Sequence, residues 1–378
     1  MDSLKSIQKG KGHPDLTSAV DWLIESGIQS ENGAFHSWYD CDENEYSFIY
    51  PETTGYSISL LLQLYHFMGN EIFLKRAISA GDWLLEIQRE DGSFYSKYFD
   101  NTFGNKNCDT SLYTFDAAIC ASGLLDLFKA TSHTKYLRAS RKIGNWLIEH
   151  QNSDGSFVAA LYPGGEIIEN SKWSQMPSCH HLKIISTLLK LYDVLKEEKF
   201  LISAKKVLEW GQKLELNSGR FIISFESEET YTHAHNYALE AMLKASEFFN
   251  DTALLKNAAR GAIWLSTMQN DDGSFWNFYN SKRERMKVSD ATAQALRIWL
   301  ILDEKGITCF SGNIEKSLRF LAKMQCSSHD KHSSGGILYG QQKKNKIKHA
   351  NSWATIFTVQ ALLFKQEKGN PSSTSMLI

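Results

Sequence analysis

The chain has 378 residues, of which 42% are hydrophobic and 22% are charged, and its formal net charge is -2. This balance predicts a globular protein with a sizeable core and excludes extensive disorder. The near-neutral charge also argues against a general nucleic-acid-binding protein, because that class needs clustered positive charge.

Similar segments recur along the chain at intervals of 54 to 64 residues. Each one resembles GAIWLSTMQNDDGSF at 261–275. An aromatic anchor lies within an amphipathic helix, that helix usually ends at a Gln, and a turn that contains Gly follows. The anchors are Trp22, Trp83, Trp146, Trp210, Trp264 and Phe320. The interval accommodates two helices and their loops, which predicts a repeat architecture.

A second, more apolar helix follows each anchor and begins near residues 53, 116, 180, 235, 290 and 351. It is apolar on most of its circumference, as a helix buried between others should be, so the amphipathic helix is the outer one. Loops from outer to inner helices run to about 15 to 25 residues, whereas the return connections are short. The long loops therefore gather on one rim.

Six such hairpins bury each other's faces only by stacking, and a closed ring leaves no exposed end. The sequence therefore predicts an all-α fold, an (α/α)6 barrel or toroid of six helical hairpins. We expect residues 1–365 to form a single toroid domain and residues 366–378 to form a flexible C-terminal tail.

The cysteine spacing and the lengths of the apolar segments indicate the kinds of site and the compartment to expect. The six cysteines are scattered without C-x-x-C spacing, so neither a zinc knuckle nor that redox motif is expected. No stretch reaches the roughly 18 apolar residues of a membrane span, and the N-terminal segment lacks the apolar centre of a signal peptide. We expect a cytoplasmic protein with reduced thiols and without a cofactor.

The repeated unit, W-L-x-x-x-Q-x-x-D-G-S-F in its fullest form, is similar to the QW motif of the squalene and terpene cyclase superfamily. The resemblance implies a scaffold in which the Gln hydrogen-bonds unpaired backbone groups at the end of a neighbouring helix. It does not carry over an activity, because no D-x-D-D string opens an inner helix. Protein prenyltransferase β subunits share the toroid and bind zinc, but no Cys stands beside Asp290, so we expect no metal site.

A further resemblance rests on FIYPETTGYSISLLL at 48–62 together with the repeated unit. This combination resembles the VpsJ-like toroid proteins of surface-polysaccharide gene clusters. Related (α/α) barrels include the six-hairpin glycosidases, sugar epimerases and several polysaccharide lyases. The resemblance implies a carbohydrate-active protein with its site on the rim that bears the long loops.

Polar and aromatic residues near the starts of the inner helices are the candidate site residues. If these helices begin at the long-loop rim, their first turns converge on the barrel axis. The candidate catalytic residues are Glu52, Asp116, His181, His233, His235 and Tyr237. The candidate substrate-binding residues are Tyr56, Tyr113, Trp173, His180, Arg283, Arg285, Arg297 and Trp353.

Histidine is the usual general acid or base near neutral pH, and paired histidines open two consecutive inner helices. An epimerase or lyase needs a base, an acid and a group that neutralises the sugar carboxylate, whereas a hydrolase needs two carboxyl groups. Asp116 together with Glu52 or Asp290 would supply the two carboxyl groups of a hydrolase. The third repeat lacks an Asp where glucuronyl hydrolases carry one, which counts against that reaction.

Two basic segments, 281–287 and 343–349, precede the fifth and sixth inner helices and predict a positive lip that attracts an anionic ligand. We therefore expect an enzyme acting on an acidic sugar or uronate-containing glycan, as an epimerase, lyase or hydrolase. Two alternatives remain: a terpenoid cyclase or prenyltransferase-like enzyme, and a non-catalytic glycan-binding or assembly protein.

Overall fold

A computed structural model describes residues 12–99, 107–168 and 172–366, together with Thr374 and Leu377. Within these residues there are twelve α-helices. The outer helices are α1 (Leu16–Glu25), α3 (Glu71–Ile87), α5 (Thr134–Glu149), α7 (Glu198–Gln212), α9 (Thr252–Met268) and α11 (Ser311–Met324). The inner helices are α2 (Pro51–Met68), α4 (Thr114–Thr131), α6 (Ile184–Leu195), α8 (Thr232–Phe249), α10 (Ser289–Glu304) and α12 (Ser352–Gln366).

The inner helices pack in chain order, each against the next, and α12 returns to contact both α2 and α1. This closes the ring, so the predicted (α/α)6 barrel is confirmed. The 3-10 turn Cys179–Lys183 precedes α6 and supplies the rim end of the third inner helix. The predicted tail, residues 366–378, lies outside the described residues apart from Gln366, Thr374 and Leu377.

The repeated Gln links five of the six hairpins to the next one, and the fourth repeat carries Glu215 instead, which pairs with Arg260. The side-chain amide of Gln269 donates to the carbonyl of Gly273 in its own turn and to that of Asn313 in α11, at 3.2 and 3.0 Å. The equivalent residues Gln29, Gln88, Gln151 and Gln325 make the same pair of bonds. Their acceptors lie in the first two turns of the neighbouring outer helix or at its N-cap, not only at its terminal groups as the sequence predicted.

The turn glycine that follows permits close packing between repeats. Gly335 has φ of +91°, and a Cβ there would lie 2.0 Å from the carbonyl oxygen of Ser18 in α1. Gln325 donates to the carbonyl oxygen of Asp15, the N-cap of the same helix, at 2.9 Å. The last repeat therefore meets the first through the contacts that join most of the others.

The long loops, predicted only as loops, contain short strands. The strands are β1 (Trp38–Asp40), β2 (Glu45–Tyr46), β3 (Lys97–Tyr98), β4 (Cys108–Asp109), β5 (Leu112–Tyr113), β6 (Ala160–Leu161), β7 (Thr230–Tyr231), β8 (Phe275–Trp276), β9 (Phe278–Tyr279), β10 (Lys287–Val288), β11 (Leu338–Gln342) and β12 (Asn345–Asn351). Six of them form one sheet in the order β2-β1-β12-β11-β10-β8, and β1 pairs antiparallel with β12, with Trp38 opposite Asn351. This sheet joins loops of the first, fifth and sixth repeats over the rim.

The core lies between the two rings of helices. Five of the six anchor residues are buried there, with Trp22 only 1% exposed, whereas Trp264 is half-buried. Burial of these aromatic rings explains why the anchor recurs in every repeat. In the part of the chain that the structure describes, no helix is long and apolar enough to cross a membrane.

Candidate functional site

Five of the inner helices, and the 3-10 turn that precedes α6, begin at a cavity of about 540 Å³ on the long-loop rim. The second or third residue of each inner helix, or of the 3-10 turn before α6, lines this cavity. These residues are Glu52, Asp116, His180, His233, Asp290 and Trp353. A first-turn position therefore recurs around the ring and gathers residues from all six repeats at one place.

Aromatic rings wall the cavity. Tyr50, Tyr113 and Tyr231 are the N-cap residues of α2, α4 and α8, and all three line it. Trp173 packs on Tyr231 with ring centroids 4.5 Å apart, and Trp38 of β1 stacks on His349 of β12 at 5.2 Å. Such rings offer flat apolar faces beside polar groups, which suits a sugar.

Tyr50 was not predicted as a site residue. Its signal in the sequence is the aromatic residue directly before an inner helix, a position that Tyr113 and Tyr231 share. The Tyr50 hydroxyl donates to Oδ2 of Asp116 at 2.7 Å.

Two carboxyl groups, Glu52 and Asp116, lie on the neighbouring helices α2 and α4. Burial raises the pKa of Asp116 to about 7, against the opposing effects of the Tyr50 hydrogen bond and of Lys97 and Lys172. Burial, followed by the charge of Asp116, raises the pKa of Glu52 well above its ordinary value. Carboxyl groups that keep a proton near neutral pH can act as general acids.

The opposite side of the cavity carries histidines. Nδ1 of His233 is 3.4 Å from Oδ2 of Asp290, which follows on the next inner helix. Burial lowers the pKa of His233 to about 3, with Arg297 adding to the effect, so the imidazole is neutral at pH 7. Burial raises the pKa of Asp290 to about 6, which leaves this carboxyl largely ionised at pH 7.

The order of the helices around the ring places these groups on opposite sides of the cavity. In a ring of six, α2 stands opposite α8 and α4 stands opposite α10. Glu52 therefore faces His233, and Asp116 faces Asp290. A ligand between them would meet two carboxyl groups with raised pKa values on one side and a neutral imidazole beside a carboxylate on the other.

Two lysines at the cavity give it positive charge. Lys97 in β3 and Lys172 before the 3-10 turn Trp173–Gln175 both line the cavity, and both lower the pKa of Asp116. Nζ of Lys97 is 3.9 Å from Oδ2 of Asp109. Lys97 was not predicted as a site residue, because nothing in the sequence distinguishes it from any other loop lysine.

Eight of the predicted site residues line the cavity, namely Glu52, Asp116, His180, His233, Tyr237, Tyr113, Trp173 and Trp353. The expectation that all four histidines converge there is wrong. The Phe221 N–H donates to Nδ1 of His235 at 3.2 Å, and the His235 ring packs against Trp264. Nδ1 of His181 accepts from the N–H of Ser178 at 3.4 Å. Both rings are fully buried and hold loops in place.

Tyr56 and Arg297 lie beneath the floor of the cavity, which Phe115 and Tyr237 form. The ring of Tyr56 is parallel to that of Tyr237, with centroids 6.4 Å apart. Arg297 therefore does not reach the cavity as the sequence predicted.

Arg297 belongs to a buried ion cluster at the barrel axis. Its guanidinium donates to Glu240 of α8 and to the amide oxygen of Gln360 in α12. Nζ of Lys183 is 2.7 Å from the other carboxylate oxygen of Glu240. All three charged side chains are at most 3% exposed. Two cations share one anion, so the cluster carries a net positive charge below the floor.

Three of the eight lysines and arginines in the predicted positive lip are held in ion pairs. Arg283 pairs with Glu229 at 3.2 Å, Lys287 with Asp272 at 2.5 Å, and Lys348 with Asp42 at 2.6 Å. The side chains of Arg283 and Arg285 are exposed and do not line the cavity. The lysines that line the cavity itself are Lys97, which lies near Asp109, and Lys172.

Solved structures with the same fold process sugars. A cellobiose 2-epimerase from Bacillus thermoamylovorans B4167 aligns with a TM-score of 0.74 at 13% identity, over 91% of this chain and 95% of the epimerase. A sugar epimerase from a ruminal bacterium gives 0.72 at 14% identity, over 91% and 98%. An unsaturated glucuronyl hydrolase specific for heparin gives 0.71 at 13% identity, over 97% of each chain.

These likenesses show a shared six-hairpin barrel, and at such low identity they show the fold alone. No family model matches the sequence, and no curated protein matches it. Among the described residues, no three His, Cys, Asp or Glu side chains are grouped so that they could hold a metal ion.

Proposed function

We propose that this protein is a carbohydrate-active enzyme that moves protons on an acidic sugar, with epimerase or lyase chemistry. The observation that carries the proposal is that one cavity places two buried carboxyl groups, Glu52 and Asp116, across from the imidazole of His233, which lies 3.4 Å from Asp290. The sugar-processing enzymes that share the barrel support the substrate class. The VpsJ-like resemblance adds surface polysaccharide as its source.

In the proposed reaction, His233 removes the proton on the carbon next to the sugar carboxyl group. The imidazolium that forms is stabilised by the Asp290 carboxylate, which is 3.4 Å away. Lys97 and Lys172 neutralise the sugar carboxylate and make that proton more acidic. Asp116 then donates a proton from the opposite side, which inverts the carbon, or protonates a leaving oxygen, which gives a lyase product.

A hydrolase is the second candidate, because Glu52 and Asp116 are adjacent carboxyl groups and a glucuronyl hydrolase shares the fold. A terpenoid cyclase or prenyltransferase-like enzyme needs a nearly apolar cavity. The charged groups Lys97, Lys172 and Asp290 argue against that alternative. A non-catalytic glycan-binding protein would bind the same ligand without turnover.

The test is incubation of the full chain in D2O with uronate-containing oligosaccharides and with neutral disaccharides. Deuterium on the sugar without cleavage supports an epimerase, and an absorbing double bond supports a lyase. New reducing ends with neither signal identify a hydrolase. Binding by calorimetry with none of the three products would refute an enzymatic function. His235→Gln is the matched control for His233→Gln, because His235 lies outside the cavity.

A further inference from the structure

Two cysteines that are far apart in the sequence meet at the seam where the first and last repeats join. Cys41 directly follows β1, and its N–H donates to the carbonyl of Lys348 in β12 at 2.9 Å. Cys326 lies just after α11, and its N–H donates to the carbonyl of Gly336 at 2.9 Å. Tyr39, two residues before Cys41 and on the same face of the extended chain, packs its ring on that of His332 at 5.5 Å, so the loop that begins at Cys326 lies against this face.

The two thiols contact each other. A hydrogen bond joins the Cys41 and Cys326 side chains, and the buried Ser333 hydroxyl contacts both sulfur atoms. Both cysteines are half-buried, so a small reagent can reach them. The other four cysteines have different surroundings. Cys120 and Cys179 are fully buried, Cys108 is half-buried in another loop, and Cys309 is exposed.

We propose that Cys41 and Cys326 form a thiol-oxidation site that reacts with small peroxides and closes into an intramolecular disulfide across the seam. The site lies outside the cavity residues, and its chemistry does not depend on the proposed function. A disulfide forms readily only between thiols that the fold already places in contact, as it does here.

The reaction has two steps. The Cys326 thiolate attacks one oxygen of hydrogen peroxide, so that an S–O bond forms, the O–O bond breaks and hydroxide leaves, giving a sulfenic acid. The Cys41 thiol loses its proton and attacks the Cys326 sulfur, which forms the S–S bond and expels the second oxygen as water. Overall, two thiols and one peroxide give one disulfide and two waters.

The surroundings of Cys326 favour it as the attacking thiolate. The hydrogen bond from Cys41 lowers the pKa of Cys326, and the Ser328 N–H, the Ser333 hydroxyl and the positive charge of Lys346 assist. The same hydrogen bond, with burial, raises the pKa of Cys41. Cys41 is therefore the resolving thiol, since thiolate character decides which cysteine reacts first.

Closing this bond would covalently join the first hairpin to the last. It would also fix β1 against the end of the sheet, and β1 and β12 carry the cavity residues Trp38 and His349. We therefore expect oxidation to stiffen the ring seam and that part of the cavity wall.

The test treats the native full-length protein with one equivalent of hydrogen peroxide and follows it by intact-mass and peptide mass spectrometry. We expect a mass loss of two hydrogens, a peptide pair linked through Cys41 and Cys326, and Cys309 left reduced. The melting temperature of the oxidised protein should rise by roughly 5 °C, because the link closes a loop that spans most of the chain.

Two single variants separate the roles. Cys41→Ser should accumulate a sulfenic acid on Cys326 that dimedone traps, whereas Cys326→Ser should leave Cys41 reduced. Cys309→Ser is the matched control and should oxidise as the wild type does. Oxidation of Cys309 ahead of the pair, or an equal rate of linkage in the urea-unfolded chain, would overturn the proposal.

Discussion

The Asp116 carboxyl should destabilise the folded protein at neutral and higher pH, so that removing its charge stabilises the chain. Its pKa is near 3.8 when the chain is unfolded and about 7 in the folded protein. The folded state therefore binds more protons between these values, and stability falls as the pH rises from about 4 to 7. Above pH 7 the lost stability is about 4 kcal/mol at most.

Asp116→Asn keeps the shape and a carbonyl-type oxygen that accepts the Tyr50 hydroxyl, but it carries no charge. We expect its melting temperature to match the wild type near pH 4 and to exceed it by about 3 to 5 °C at pH 8, using an unfolding entropy of roughly 2 cal/mol/K per residue. Turnover should fall by about 100-fold or more, because a general acid is lost.

Differential scanning calorimetry of both proteins between pH 4 and pH 8 measures this prediction. Asp126→Asn is the control on the same helix, because Asp126 pairs with Lys190 at 2.7 Å and accepts from Ser59 at 2.7 Å. That substitution should destabilise the protein at pH 8. If Asp116→Asn were also destabilising at pH 8, the carboxyl would be a structural group and the reasoning would fail.

Three further substitutions test the site and the ring. His233→Gln should abolish deuterium incorporation while changing the melting temperature little, and loss of folding instead would contradict its position at the cavity. Glu240→Gln leaves Lys183 and its neighbouring arginine buried without an anion, and denaturant titration should show a loss of about 3 to 5 kcal/mol. Gly335→Ala places a methyl group against α1 and should lower the melting temperature far more than Gly69→Ala, which has open space at a similar positive φ.

The fold could be predicted because its evidence is local and repeated. The anchor residue, the Gln and the turn glycine each recur in most of the repeats, and the inner segments are apolar on nearly every side. The observed helix α10, Ser289–Glu304, begins one residue before the predicted segment. Most of the strands were missed because they are only two or three residues long. Pairs such as β1 with β12, β5 with β6 and β7 with β9 also join different repeats, which a local pattern does not reveal.

The candidate site was predicted in part, and the errors have a geometric cause. His233 and His235 are two positions apart in a helix, so they point to nearly opposite faces and cannot both reach the axis. The same reasoning, applied to the sequence, would have removed one of them. Lys97 and Tyr50 depend on the path of a loop, and the contact between Cys41 and Cys326 depends on ring closure. Sequence periodicity carries no information about either.

The helix N-termini and a buried ion cluster together produce a positive electrostatic potential in the cavity, which favours an anionic ligand. Five inner helices present their N-termini to the cavity, the 3-10 turn before α6 takes the sixth place, and each helix N-terminus has a partial positive charge. The buried cluster of Lys183, Glu240 and Arg297 adds a net positive charge below the floor. This field alone would lower the pKa of Glu52 and Asp116, yet both are raised, so desolvation is the larger effect. An entering carboxylate would gain the same attraction and meet carboxyl groups with raised pKa values, as the proposed proton transfer requires.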